Sequence, residues 1–254
     1  MTVQFTRSEH IAEIVLDRPT KLNTVTPEMA AELRAIAEQC NVDNDIRCVI
    51  FTGSGEKAFC AGSDVKELDY YDSPWHFRNR ADYCDSIRAI KKPVIGAVNG
   101  YAYGGGLELA LSCDIRLASE NASFCAAEIK LGWIGGGGVT YMLVHNIGAS
   151  NAATMLLTGD PVGAAQARDW GLVSAVHEPA ELLPAARDLA AKICRNAPVA
   201  AVTAKDNIRA AYTMPREMAV IYERDLQTIC MATEDAAEGQ AAFREKRPAK
   251  FTGR

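Results

Sequence analysis

Two glycine-containing turns, each following a short apolar run, are the segments of this chain best suited to bind a ligand through the backbone. The first turn, residues 58–65, contains Gly62. The second turn, residues 99–108, contains three consecutive glycines, Gly104 to Gly106. Glycine lets backbone N–H groups approach a ligand closely, and a helix that opens at Gly105 adds the positive end of its dipole. Two such N–H groups aimed at one point would form an oxyanion hole.

Other uses of these glycines must be weighed against an oxyanion hole. A Walker A loop needs G-x-x-x-x-G-K-[ST], and no glycine of the chain begins one. The dinucleotide motif G-x-G-x-x-G is absent from both turns, and the tract Gly135 to Gly138 cannot supply it because position 140 is Thr. Tight packing of helices on strands remains the alternative explanation for the glycines.

Two glutamates lie in apolar surroundings close to these turns in the sequence. Glu108 is flanked by leucines and alanines in residues 107–111, and Glu128 lies within residues 123–132. A carboxylate in such a context must reach a partner, a cavity or solvent, and an exposed helix face is the usual case for a single glutamate. Two carboxylates near one polarised carbonyl can divide the roles of general acid and general base.

Composition excludes several classes of protein. The chain has 254 residues, of which 48% are hydrophobic, and this predicts a large buried core rather than intrinsic disorder. Its 27 basic and 32 acidic residues disfavour a nucleic-acid partner. The eight cysteines form no Cys-x-x-Cys pair and no zinc-type spacing, so we expect no metal site. None of the four histidines is paired by sequence with a cysteine, which argues against a nucleophilic cysteine.

No targeting or membrane-spanning segment is visible in the sequence. The N-terminus lacks a basic region followed by an apolar run, which a secretory signal requires. The most apolar stretch, residues 92–111, is interrupted by Asn99, five glycines and Glu108. We therefore expect a cytoplasmic protein without a membrane partner.

The elements that position these residues alternate between strands and helices. Residues 2–7 and 10–16 predict an N-terminal hairpin. Thr26 followed by Pro27 predicts the start of a helix that reaches about Cys40. Further strands are predicted at residues 48–52, 93–98 and 114–118, with a helix after Gly104 to Gly106. This order is typical of an α/β fold with parallel strand pairing.

The remainder of the chain is mostly helical in pattern. Short helices are predicted at residues 139–146, 151–157 and 164–170, each ending near a glycine, and one more strand at residues 172–176. Longer helices are predicted at about 180–195, 198–212, 215–232 and 235–245. We accordingly divide the chain into a core, residues 1–195, and a C-terminal all-helical region, residues 196–254.

An ordered set of short motifs covers nearly the whole chain. It comprises Leu16-Asp17-Arg18-Pro19, Lys21-Leu22-Asn23, Phe59-Cys60-Ala61-Gly62-Ser63-Asp64, Lys92-Pro93-Val94-Ile95-Gly96-Ala97-Val98-Asn99-Gly100, Gly104-Gly105-Gly106-Leu107-Glu108-Leu109-Ala110, Cys113-Asp114-Ile115-Arg116, Leu157-Thr158-Gly159, residues 164–176 and Phe243-Arg244-Glu245-Lys246-Arg247-Pro248. Through this set the sequence resembles the enoyl-CoA hydratase/isomerase (crotonase) superfamily.

The resemblance implies a crotonase-like spiral of β-β-α units that binds an acyl-coenzyme A. The backbone N–H groups of Ser63 and Gly105 would hold the thioester oxygen. Glu108 would hold and activate water, and Glu128 would deliver a proton to the α-carbon, so that water adds across a 2,3-enoyl double bond. No tightly bound cofactor or metal is implied, since coenzyme A arrives as part of the substrate. Positions that contact coenzyme A in relatives correspond to Lys21, Leu22, Ala61, Ser63, Asp64, Val65, Lys66 and Gly105, and Lys246 and Arg247 would add charge.

The sequence leaves other reactions of the superfamily open. Dehalogenase-like and dienoyl-isomerase-like members use an acid eight residues beyond the second glutamate, where this chain has Gly136. The presence of both Glu108 and Glu128 favours a hydratase over an isomerase, but dehydratases and thioester hydrolases also retain acidic pairs. A non-catalytic binding protein, for RNA for example, is disfavoured by the acidic charge balance and the intact glutamate pair.

The sequence departs from the usual family pattern at a few positions. These departures affect which acyl group we expect it to bind more than which reaction we expect it to catalyse. Ala127 stands where relatives usually have proline, and the glycine tract 135–138 replaces a Pro-Gly-x-Gly segment. Four aromatic residues, Tyr70, Tyr71, Trp75 and Phe77, follow the first turn, in a stretch that borders the acyl pocket in the family. We hypothesise a pocket for a bulky or cyclic acyl chain, with ordinary aromatic packing as the alternative.

The resemblance also implies assembly and a metabolic setting. Family members form trimers, often paired into hexamers, with C-terminal helices at the interfaces, and many act in fatty acid metabolism. We therefore expect a homotrimer or homohexamer. The amphipathic character of the C-terminal helices is consistent with a need for a partner surface.

Overall fold

Two β-sheets form the centre of the computed structural model, which describes residues 2–254 (for residues 67–69, the backbone alone). Within these residues the larger sheet has six strands, in the spatial order β1 (Val3–Ser8), β2 (Ile11–Leu16), β3 (Cys48–Gly53), β5 (Val94–Val98), β7 (Ile115–Ser119) and β10 (Ala175–His177). The β1–β2 pair is the predicted antiparallel hairpin, and every later pair is parallel.

The smaller sheet lies beside the larger one and carries the two glycine turns. Its strands are, in spatial order, β4 (Ala58–Cys60), β6 (Tyr101–Tyr103), β8 (Ser123–Cys125) and β9 (Val162–Gly163). The β4–β6 and β6–β8 pairs are parallel. The sequence did not predict this sheet, because segments of two or three residues are too short to show a period of two.

The helices cover the sheets and then continue alone at the C-terminus. They are α1 (Pro27–Val42), α2 (Pro74–Arg78), α3 (Tyr83–Arg88), α4 (Gly105–Ser112), α5 (Val139–Thr158), α6 (Ala164–Asp169), α7 (Leu182–Cys194), α8 (Pro198–Thr213), α9 (Arg216–Met231) and α10 (Glu234–Glu245). As the sequence predicts, α1 begins with Thr26 as its N-cap, whose side chain accepts a hydrogen bond from the Met29 N–H. Short 3₁₀ helices span Pro19–Lys21, Val65–Tyr70 and Ala127–Leu131.

The central parallel strands are buried on both faces. Every residue of β3 and β5 is buried. Alternate side chains of β3 point in opposite directions: Val49 and Phe51 join the main core, whereas Cys48 and Ile50 pack with α7. Coverage on both faces explains why these strands are continuous apolar runs without alternation.

Two sequence predictions of secondary structure need correction. The strand predicted at residues 172–176 is Ala175–His177 in the structure. Leu172 and Val173 are buried in the turn that follows α6, so their apolar character reflects core packing. The helices predicted at 139–146 and 151–157 are joined as α5, but Gly148 interrupts them with non-helical backbone angles.

The C-terminal segment consists of helices α8 to α10 and a short tail, in agreement with the predicted helix positions. The division into residues 1–195 and 196–254 stays a prediction. No helix within residues 2–254 is both long and apolar enough to span a bilayer. Among the side chains that the structure describes, which exclude those of residues 67–69, no three His, Cys, Asp or Glu are grouped so that they could hold a metal ion.

The eight cysteines are free thiols, and all except Cys230 are buried. Burial raises the pKa of several of them, for example to about 12 for Cys60 and Cys113. A thiol with so high a pKa carries almost no thiolate at neutral pH. These residues therefore behave as small core side chains, as their apolar sequence contexts suggest.

Candidate active site

The two glycine turns meet at one edge of the smaller sheet. Since β4 and β6 are parallel neighbours, their carboxyl ends carry the turns at residues 61–64 and Gly104 side by side. Gly62 has a φ of +94°, and a Cβ atom there would lie 3.1 Å from the amide nitrogen of Gly105. A side chain at position 62 would push the two turns apart, so glycine is needed both for its backbone angle and for this close approach.

The amides of Ser63 and Gly105 are available to a ligand in this arrangement. Gly105 is the first residue of α4, where a backbone N–H has no partner within the helix. Within residues 2–254, neither amide donates to another main-chain group. The structure therefore brings together two unpaired backbone donors on adjacent turns, as an oxyanion hole requires.

Tyr83 lies against both of these residues, and the sequence reasoning missed it. Its hydroxyl is 3.0 Å from the Ser63 hydroxyl, and the same oxygen occupies the place that a side chain on Gly105 would take. The ring is buried in the main core, and this burial raises the pKa of Tyr83 well above its ordinary value. The hydroxyl therefore stays protonated. The sequence signal that could have identified Tyr83 is the apolar helical spacing of Tyr83, Cys84 and Ile87. This spacing indicates only core packing and does not single out Tyr83 as a site residue.

We expect Gly105→Ala to destabilise the fold, because its methyl group would overlap the Tyr83 hydroxyl. Overpacking a buried site of this kind costs about 1–3 kcal/mol of unfolding free energy. The double variant Gly105→Ala/Tyr83→Phe, which lacks the overlapping oxygen, should recover part of that loss. Thermal denaturation of both variants measures the effect.

Gly163→Ala is the matched control for this substitution. Gly163 has a φ of −74°, and a Cβ atom there would meet nothing within 4 Å. The unfolding free energy of this variant should lie within about 1 kcal/mol of that of the wild type, because alanine restricts the unfolded chain but is a weaker N-cap for α6 than glycine. Equal stability of Gly105→Ala and Gly163→Ala would contradict the proposed overlap.

Glu108 projects from α4 into a nearly closed environment. Its side chain is buried, and one carboxylate oxygen accepts a hydrogen bond of 2.7 Å from the Gly137 N–H. Burial raises the pKa of Glu108 to about 7, with further increases from the charges of Glu128 and Asp82, while the Gly137 hydrogen bond partly offsets them. A carboxyl group with a pKa near 7 can exchange protons at neutral pH.

Glu128 approaches the same place from the other side of the second turn. It lies in the 3₁₀ helix Ala127–Leu131, directly after β8. A Cβ atom on Gly104 would be only 3.2 Å from its carboxylate oxygen. Burial also raises the pKa of Glu128. Two carboxyl groups with raised pKa values thus flank the glycine turn that carries the Gly105 amide.

The glycine tract 135–138, which the sequence left unexplained, folds around Glu108. Cβ atoms on Gly135 and Gly137 would lie 2.7 and 2.6 Å from the Glu108 carboxylate oxygens. Arg88 fixes the tract by donating a 2.7 Å hydrogen bond to the Gly137 carbonyl. The tract therefore lets the backbone supply a donor to Glu108 while leaving no side chain between them.

The residues expected to contact coenzyme A lie on adjacent segments. Ala61 N–H donates to the Leu22 carbonyl, and Asp64 N–H donates to the Val25 carbonyl. Lys21 ends the 3₁₀ helix beside Leu22, while Lys66 follows Asp64 and is exposed, as is Val65. Asp64 itself is paired with Arg18 at 3.1 Å. The two segments form one continuous surface, and its cations are Lys21 and Lys66.

The aromatic cluster divides into two parts. Tyr71 and Phe77 line a pocket next to Ser63 and Tyr83. Their rings contact one another edge to face, with centroids 5.2 Å apart. Tyr70 and Trp75 do not line this pocket and are exposed at 59% and 70% of their surface, more than Phe77 at 41%. Half of the predicted cluster is thus positioned next to the site.

Sequence comparisons with known proteins point to one family. The enoyl-CoA hydratase/isomerase family model matches residues 6–254. An (E)-benzylidenesuccinyl-CoA hydratase of Thauera aromatica is 39% identical over 255 residues, covering 100% of both chains. The mitochondrial enoyl-CoA hydratase of Pongo abelii is 39% identical over 251 residues, covering 96% of this chain and 84% of that protein.

Solved structures show the same fold. The crystal structure of an enoyl-CoA hydratase from Bacillus anthracis superposes with a TM-score of 0.94 and 33% identity, and 100% of each chain is covered. A second, from Mycobacterium tuberculosis, gives a TM-score of 0.90 and 32% identity, covering 100% of this chain and 99% of that one. The crotonase-type α/β fold predicted from the sequence is therefore confirmed. The chain belongs to the enoyl-CoA hydratase/isomerase family.

Proposed function

We propose that this protein is an enoyl-CoA hydratase, which adds water across the 2,3 double bond of an acyl-CoA thioester. The observation that carries the proposal is the pair of carboxyl groups on either side of the turn that bears the Gly105 amide, Glu108, which is buried, and Glu128, which is half-buried. A hydration needs one group to take a proton from water and another to give a proton to carbon. Both carboxyl groups have pKa values raised by burial, as groups that exchange protons near neutral pH require.

The proposed reaction begins when the Ser63 and Gly105 amides bind the thioester oxygen. Glu108 takes a proton from water, and the hydroxide oxygen forms a bond to C3 while the double-bond electrons move toward the thioester. Charge develops on the thioester oxygen as an enolate, where the two N–H groups stabilise the transition state more than the ground state. Glu128 then delivers its proton to C2. The net change is one water molecule added, and the two carboxyl groups together keep the same number of protons.

Coenzyme A would lie along the surface formed by residues 21–22 and 61–66. Lys21 and Lys66 are suited to its phosphates, and Ala61, Ser63, Asp64 and Val65 would contact its pantetheine and nucleotide. The C-terminal cation Arg247 is less suited, because Glu238 and Glu245 both accept hydrogen bonds of 2.6 Å from its guanidinium.

A homotrimer or homohexamer also belongs to this proposal. Several large apolar side chains of α8 to α10 are exposed in the single chain, including Ile208, Met218, Ile229, Met231 and Phe243. Exposed apolar surface of this extent is typical of a protein–protein interface. The C-terminal helices would then be the surface through which copies of the chain associate.

Incubation of crotonyl-CoA in heavy-oxygen water tests the reaction. We expect the product to carry the label on the hydroxyl at C3, with the thioester intact. A dehydratase of the same scaffold gives this label in the reverse direction as well. Label in a released free acid would identify a hydrolase, and an isomerised, unlabelled enoyl-CoA would identify an isomerase. Either of the last two results would overturn the hydratase proposal.

A further inference from the structure

A pocket beside the proposed oxyanion hole contains one cation that the hydration reaction does not use. The pocket is lined by Ser63, Tyr83 and Arg80 together with apolar and aromatic side chains, among them Val25, Tyr71 and Phe77. Of the described residues that line it, Arg80 is the basic one, and the acidic one, Asp64, is already paired with Arg18. The volume of this pocket is about 30 Å³, which admits a group of the size of a carboxylate rather than a whole acyl chain, and a guanidinium at its wall is suited to such an anionic group.

Arg80 is held rigidly at the wall of this pocket. Its guanidinium carbon lies 4.2 Å from the centre of the Phe77 ring, and it donates to the Phe77 carbonyl at 3.0 Å and to Asp82 at 2.9 Å. Its side chain is 20% exposed. A guanidinium fixed in this way loses little conformational entropy when it binds a ligand.

Asp82 does not use up the hydrogen-bonding capacity of Arg80. One Asp82 oxygen accepts from the Cys84 N–H at 2.8 Å and so caps α3, while the other accepts from Arg80. A guanidinium has five N–H groups, and among the groups that the structure describes, which exclude the side chains of residues 67–69, those of Arg80 have no acceptors besides Phe77 and Asp82. N–H groups remain for a second carboxylate.

Arg80 lies close to the backbone that holds Glu108, so a carboxylate bound to Arg80 would belong to the acyl part of the substrate. Nη2 of Arg80 lies beside Gly136, where a Cβ atom would be 3.3 Å away. The next residue, Gly137, donates the hydrogen bond to Glu108. Arg80 is thus adjacent both to the backbone that holds Glu108 and to the pocket that includes Ser63. A carboxylate bound to Arg80 would lie next to the reacting carbons of the acyl group. The phosphates of coenzyme A would lie elsewhere, on the surface that carries Lys21 and Lys66.

We propose that Arg80 binds a free carboxylate on the acyl group, so that the substrates are CoA monothioesters of unsaturated dicarboxylic acids. This inference rests on the proposed hydratase function. A planar guanidinium matches a carboxylate with two parallel hydrogen bonds. An uncharged acyl group would leave the N–H groups of Arg80 that Asp82 and Phe77 do not use without an acceptor, which penalises that substrate.

The test compares two substrates that differ by one carboxymethyl group, which carries the carboxylate. (E)-Benzylidenesuccinyl-CoA carries a phenyl ring and a free carboxylate on an enoyl thioester, and cinnamoyl-CoA carries the same ring and double bond without the carboxylate. We expect wild-type kcat/KM to be at least ~10-fold higher for the carboxylated substrate, because a hydrogen bond to a charged group contributes on this order. Arg80→Gln should reduce that preference at least ~10-fold.

Arg78→Gln is the matched control, because it removes the same charge two residues away, at the end of α2 and outside the pocket. Arg78 stacks on Trp75 at 5.5 Å and does not line the pocket. The preference of the Arg78→Gln variant for the carboxylated substrate should equal that of the wild type. Arg80→Lys, which keeps the charge but not the planar fork, should fold if Arg80→Gln does not, and should retain only part of the preference.

The outcomes separate this inference from the function on which it rests. If the wild type hydrates crotonyl-CoA and cinnamoyl-CoA but does not prefer the carboxylated substrate, the Arg80 site is wrong and the hydratase function stands. An equal loss on both substrates in Arg80→Gln and Arg80→Lys would give Arg80 a structural role only, which also overturns the inference. Absence of hydration with all three substrates would instead refute the proposed function.

Discussion

Glu128→Gln is expected to lower kcat for hydration at least ~100-fold, because the amide cannot deliver a proton to the α-carbon. Glutamine has nearly the same size, so the close contact between this side chain and Gly104 is kept. The Ser63 and Gly105 amides and the coenzyme A surface are unaffected, and KM should therefore change much less than kcat. Steady-state kinetics with crotonyl-CoA, followed through loss of the enoyl absorbance, measure both parameters.

Glu120→Gln provides the control for this variant. Glu120 is an exposed glutamate that precedes β8, eight residues before Glu128. The same chemical change at this position should leave kcat at the wild-type value. A Glu128→Gln enzyme with near-normal kcat would refute the proton-donor role and the mechanism built on it.

Glu108→Gln is expected to abolish most activity and, at the same time, to stabilise the fold above neutral pH. Glutamine can still accept the hydrogen bond from Gly137, but it cannot take a proton from water, so kcat should again fall at least ~100-fold. The gain in stability follows from removing a buried charge. Catalytic residues often have such a cost in stability.

The sign of the stability effect follows from the pKa of Glu108. Burial raises this pKa from 4.5 to about 7 in the folded protein. Below pH 4.5 the group is neutral in both the folded and the unfolded state, so it adds no pH-dependent penalty. As pH rises from 4.5 to about 7, Glu108 ionises in the unfolded state but stays protonated in the folded state, so stability is lost over this range and the loss is complete above pH 7. This shift corresponds to about 3 kcal/mol of lost stability above pH 7.

Thermal denaturation of wild type and Glu108→Gln at pH 5 and pH 8 checks this prediction. The melting temperature of the variant should exceed that of the wild type at pH 8, and the difference should shrink at pH 5. The exposed change Glu120→Gln should show no such pH-dependent difference. A difference in melting temperature that is the same at both pH values would contradict a buried, ionising Glu108.

The elements that position the site could largely be predicted from local sequence signals. Thr26 and Pro27 mark the start of α1, and the glycines at 104–106 mark the turn into α4. The buried apolar runs of β3 and β5 also agree with their predicted positions. These signals work because caps, glycine turns and long apolar runs act over a few residues.

Contacts across the fold could not be predicted in the same way. Tyr83 and Arg80 reach the site through the packing of α3 and of the segment before it, and no local pattern distinguishes them from core or surface residues. The resemblance to the family named Glu108, but it could not show that the glycine tract folds around this carboxylate. Likewise, the short strands β4, β6 and β8 exist only because they pair with one another.

The parallel order of the large sheet also determines how this chain must fold. After the β1–β2 hairpin, each strand pairs with one that is distant in sequence, as β3 does with β5 across residues 54–93. Such non-local pairing gives a high contact order and slow folding, because loop-closure entropy is lost before the contacts form. Until then β3 and β5, apolar and uncharged along their whole length, are unpaired strands that can associate with other chains. Aggregation of this chain should therefore depend on how fast it folds and on its concentration during folding, rather than on the stability of the folded protein.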